Sequence, residues 1–98
     1  MKIYKYDLVW GHTDLELPTG SQILSFDIQY GVPRIWALVD PHPNIRKETR
    51  RFVLYGTGHE VAEDKYDLMF IGTALMDDGA LVWHVFEVRG SARTPKVN

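Results

Sequence analysis

Apolar residues in this chain recur with period two, in short runs cut by proline and glycine. That pattern describes strands lying half-buried on a core rather than helices, whose apolar positions recur every three to four residues. Tyr4, Tyr6, Leu8 and Trp10 share one face of a first predicted strand, with Lys5 and Asp7 on the other. Residues 13–17 make a short second strand, ended at Pro18-Thr-Gly20, and Leu24, Phe26, Ile28 and Tyr30 alternate with polar residues over a third. Gly31-Val-Pro33 leads into residues 34–39, which are apolar at nearly every position and are expected to be covered on both faces. The prolines of Asp40-Pro-His-Pro-Asn44 force a loop. Further strands are predicted over 49–55, 68–75 and 80–89, the last two joined by Met76-Asp-Asp-Gly79, a hairpin signal.

The predicted fold is therefore all-β and mainly antiparallel, with about seven short strands in a small sandwich or partly open barrel and at most one helical turn near residues 60–66. A chain of 98 residues accommodates one domain, expected to span residues 1–89, with a flexible tail over 90–98. Without cysteine, disulfides, thiol catalysis and cysteine-ligated zinc are excluded, so apolar burial must supply the stability. No apolar run is long enough for a membrane-spanning helix and the N-terminus lacks a signal-peptide pattern, so a cytoplasmic protein is expected. Unpaired sheet edges in so small a domain make a homo-oligomer the expected state.

The net charge of −2 hides a segregation. Residues 46–51 carry Arg46, Lys47, Arg50 and Arg51 against Glu48, and residues 89–98 are basic as well, whereas 52–88 are strongly acidic. Duplex nucleic acid is not expected as a partner, because it demands an extended basic surface. A small anion needs only two or three cations. If 34–39 and 49–55 paired as a hairpin, Arg34, Trp36, Arg51 and Tyr55 would share a face, with guanidiniums for phosphate oxygens and flat rings for a base. Arg50 and the Gly56-Thr57-Gly58-His59 turn complete the candidate ligand-binding set of Arg34, Trp36, Arg50, Arg51, Tyr55, Thr57 and His59. Each has a plainer reading: paired or solvated arginines, a core tryptophan, an ordinary turn.

Catalytic signals are weaker. His12, His42, His59 and His84 show none of the spacings of a metal site, and no metal or cofactor is expected. His84 reads as a hydrogen-bonded core or interface residue; His59 beside Glu60 is the better base in a hydrolase reading, with His84 beside Glu87 as the other option. Asp77 and Asp78 read as turn residues rather than cation ligands.

The strings Gly31-Val-Pro-Arg-Ile-Trp-Ala-Leu-Val-Asp-Pro41, Glu48-Thr-Arg-Arg-Phe-Val-Leu-Tyr-Gly-Thr-Gly-His59 and Leu81-Val-Trp-His-Val-Phe-Glu-Val88, with the opening Met1-Lys-Ile-Tyr-Lys-Tyr6, resemble a family of short uncharacterised bacteriophage and prophage proteins. The resemblance implies a phage origin and one compact domain, and brings no catalytic residues. By analogy with phage proteins that sequester nucleotide immune signals, the expected function is binding of a small phosphate-bearing nucleotide in the host cytoplasm. A protein-interaction or structural module without a small ligand is the alternative.

Overall fold

A computed structural model describes residues 1–89; the tail predicted over 90–98 lies outside the described residues. Seven antiparallel strands form two sheets. β1 (Lys2–Asp7), β4 (Val32–Val39) and β3 (Gln22–Gln29) make a three-stranded sheet in the order β1-β4-β3. β2 (His12–Pro18), β5 (Lys47–Gly56), β7 (Leu81–Val88) and β6 (Leu68–Met76) make a four-stranded sheet in the order β2-β5-β7-β6. The sheets do not close into a barrel. A single 3₁₀ turn, Lys65–Asp67, begins where Asp64 caps the Tyr66 amide. Among the described residues no helix is long and apolar enough to cross a membrane.

The core lies between the sheets. Leu17, Phe52, Leu54, Ala74 and Val85 from the larger sheet pack with Leu8, Phe26 and Ile35 from the other half of the molecule. Ile35, Phe52 and Val85 are completely buried. Alternation brings this about, since the odd residues of β4 from Pro33 to Val39 and the even residues of β5 from Phe52 to Leu54 all point inwards. Ile35 packs with Phe52 and Leu54 across the sandwich, from the facing sheet.

The expected hairpin between residues 34–39 and 49–55 does not form. β4 is paired on both edges, by β1 and β3, and β5 by β2 and β7. The Asp40-to-Arg46 loop therefore carries the chain from one sheet to the other. It is braced by amides, with His42 N donating to Asp40 Oδ1 at 3.0 Å and Thr19 N to Arg46 O at 2.8 Å. β4 is buried on one face and half-buried on the other, rather than covered on both, because no third layer exists.

Two strands break the simple alternation. β3 has a bulge at Leu24, so Ile23 packs on the core while Leu24 is exposed; β6 has one at Ile71. Tyr30, expected inside, occupies the turn to β4 with φ of 53° and is 90% exposed, while Gly31 follows at 76°. Two successive left-handed residues match the twist that a tight hairpin requires. Trp10, expected to extend the first strand, lies beyond β1 and stacks on Trp83 with centroids 4.7 Å apart.

Phe52 sits at the centre of the core with no exposure. Phe52→Ala should cost about 3–5 kcal/mol of unfolding free energy, read from urea denaturation, because the surrounding sheets cannot collapse into the space.

Candidate functional site

The predicted nucleotide face is dispersed. Arg34 and Trp36 lie on the outer face of the three-stranded sheet, whereas Arg51 and Tyr55 lie on the outer face of the four-stranded sheet, on opposite sides of the molecule. Arg34 donates to Asp7 Oδ1 at 2.8 Å and Gln29 Oε1 at 2.7 Å. Arg51 forms a two-pronged pair with Asp14 at 2.7 and 3.0 Å, and this hydrogen bond holds the Asp14 carboxyl below its usual value. Trp36 is half-buried on the outer face of the three-stranded sheet. The arrangement assumed one sheet, and the chain built two.

Arg50 points inwards. Its Nε and Nη2 donate to the two oxygens of Glu87 at 2.7 and 2.8 Å, and its Nη1 donates to Ser21 O. The side chains of this ion pair retain only 13% and 6% exposure, so the pair is desolvated. Arg50 is thus neutralised and cannot serve as a free phosphate ligand. Glu87→Ala would strand a buried guanidinium and should cost about 3–5 kcal/mol. Asp14→Ala, at an exposed pair, should cost less than about 1 kcal/mol in the same denaturation assay.

Thr57 and His59 also do other work. His84 is held between two hydroxyls, Nε2 to Thr57 Oγ1 at 2.8 Å and Nδ1 to Thr73 Oγ1 at 2.9 Å, in keeping with the hydrogen-bonded reading. Its supposed partner Glu87 faces the other side of the sheet: His84 pairs with Tyr55 on the outer face and Glu87 with Phe52 on the inner. The His84–Glu87 dyad is therefore excluded by strand parity. His59 Nδ1 accepts from Gly56 N at 3.1 Å, with its ring edge-on to Trp83. A Cβ at Gly56 would stand 2.8 Å from that ring, so glycine is what lets His59 fold back.

Two groupings were not foreseen. On the outer face of the four-stranded sheet, Glu63 accepts from Tyr55 Oη at 2.5 Å and meets His12 Nε2 at 2.6 Å. Burial raises the Glu63 carboxyl, but the hydrogen bonds from Tyr55 and His12 prevail and lower it. Tyr55 is raised by burial and by Glu63. His12 and Glu63 are 51 residues apart, and no local spacing connects them. Because the folded value of Glu63 lies below its ordinary 4.5, the stability it contributes is present above that pH and is lost as pH falls through the folded value. The thermal midpoint should therefore decline below about pH 4.5, and Glu63→Gln should flatten that decline between about pH 5 and 3.

The second grouping is a cleft of about 400 Å³ at the seam between β1 and β2, the free edges of the two sheets. Tyr4 and Tyr6 form one wall, Glu16 and Pro18 the other, and the loop with Pro41, His42 and Pro43 closes one end beside Lys47. Burial and the neighbouring Tyr4 raise the Tyr6 hydroxyl, which stays a protonated donor. His42 Nδ1 accepts from Asn44 N at 3.1 Å, which places the neutral ring's proton on Nε2 as a second donor. Neither Arg46 nor Lys47 is ion-paired among the described residues, unlike Arg50 and Arg51. The two cations of the basic segment left for a ligand are thus at its start, and Lys47 lines the cleft. The sequence signal was the Pro-His-Pro loop next to the cations; the tyrosine wall needed the sheet pairing.

A family model described as a domain of unknown function, DUF7352, matches residues 1–95. The chain belongs to that family. No curated protein and no solved structure matches it. DUF7352 membership covers both sheets and both edges of the cleft, so the seam belongs to the family's matched domain and not to an appendage.

Proposed function

We propose that this DUF7352 protein is a non-enzymatic binding module that sequesters a small phosphate-bearing nucleotide in the cleft between β1 and β2. The observation that carries the reading is the meeting there of two tyrosine rings with Lys47 and the His42 Nε2 donor. Aromatic faces stack on any base, and Lys47 takes a phosphate. Glu16 and Asp40 also line the cleft. Carboxylates accept from hydroxyls, which favours a ribose-bearing ligand with one or two phosphates over a polyanion. The resemblance to bacteriophage proteins supports a role in the host cytoplasm, where the ligand would be a nucleotide immune signal such as a cyclic ADP-ribose derivative or a cyclic oligonucleotide. The unpaired edges of β1 and β2 beside the cleft favour a homo-oligomer.

A module that binds another protein is the second reading, favoured by the exposed Phe70 and Leu75 on the outer face of β6. The hydrolase reading loses support where His84 and Glu87 face apart. Isothermal titration against cyclic ADP-ribose isomers and cyclic di- and trinucleotides should find one binder, recovered chemically intact. Lys47→Glu should weaken that ligand at least about tenfold, as expected for losing a charge-assisted contact. Absence of heat with every nucleotide in the panel would refute the proposal.

A further inference from the structure

The opposite seam, between β3 and β6, holds a second cleft of about 320 Å³. Its position follows from the two bulges. Leu24 and Ile71, the extra residues of β3 and β6, both line it, so the strands part where each carries one residue too many for its ladder. They close again at Gly72, where an added Cβ would come within 3.4 Å of Phe26 Cβ. Bulges are enriched beside functional sites, where they redirect side chains. Here they expose part of the desolvated Arg50–Glu87 pair to the cleft.

A buried ion pair as a whole adds little net stability to a core. Replacement of a buried ion pair by apolar residues of similar volume is often neutral or stabilising. Its remaining hydrogen-bonding capacity is specific, however. Of the five N–H groups of a guanidinium, Arg50 uses one on each of Nε, Nη1 and Nη2, leaving one on Nη1 and one on Nη2; each Glu87 oxygen takes one bond and keeps a lone pair. The pair thus offers donors and acceptors side by side with no net charge. The rim is apolar and open, with Leu24 44% and Met69 41% exposed.

We propose that this cleft binds a flat, uncharged heterocycle with adjacent donor and acceptor atoms, such as the edge of a nucleobase, its ring lying between Met69 and Leu24 and its polar edge on Arg50 and Glu87. An anion is disfavoured because Glu87 already neutralises the guanidinium, and a purely apolar ligand would bury the pair's free groups unsatisfied. The site is independent of the one between β1 and β2.

Titration of adenosine, cytidine, guanosine and uridine into the ¹⁵N- and methyl-labelled protein tests it. At least one nucleoside should give saturable shifts at both the Arg50 Nε–H and the Met69 methyl resonances. Lys47→Glu, at the other seam, should leave them unchanged. The double variant Arg50→Met with Glu87→Leu should remain folded by its amide spectrum and lose the Met69 response. Leu24→Glu, at an exposed position that leaves the ion pair in place, should weaken binding at least fivefold and serves if the double variant does not fold. No saturable shift with any of the four, or a response that survives in the folded double variant or in Leu24→Glu, would overturn the proposal.

Discussion

Everything in this molecule depends on side chains meeting across a gap that no backbone hydrogen bond of a ladder spans. The two sheets are separate ladders, and Ile35, Phe52, Leu54 and Val85 interlock between them. Apolar burial therefore sets the angle and spacing of the sheets and decides which residues end on outer faces. The charged residues are sorted by the same event. Arg51 and Arg34 point outwards to exposed carboxylates, while Arg50, one position away from Arg51, points inwards and needs Glu87.

The alternation of polar and apolar residues made the all-β class and the seven strands legible, because period two is a local property that each strand displays by itself. The partner of each strand is not local. Residues 34–39 and 49–55 look like a hairpin since both are apolar and a short proline loop joins them, yet each finds two better neighbours elsewhere. That single difference moved Arg34 and Trp36 to the far side of the molecule from Arg51 and Tyr55. His84 shares the outer face of β7 with Val82 and Phe86, where Thr57 and Thr73 hold its ring, and the same parity separates it from Glu87.

The candidate cleft shows the converse. Its loop could be seen in the sequence, and its cations belonged to the segment already marked by charge. Which of the four basic residues remained free depended on carboxylates from β2 and β7, tens of residues away. The Tyr55–Glu63–His12 cluster is another product of tertiary proximity, with a loop residue serving two strands at once.

The bulges at Leu24 and Ile71 carry a consequence beyond the cleft they open. Each reverses the odd–even rule along its strand: Ile23 and then Phe26 face inwards on β3, and Phe70 and then Thr73 face outwards on β6. A one-residue slide along its neighbour would turn the whole apolar set of such a strand to the other face, and the extra residue would no longer fall where the ladder opens for it. The irregularity thus acts as a ratchet tooth, fixing the alignment of two edge strands that have a hydrogen-bonded partner on one side only.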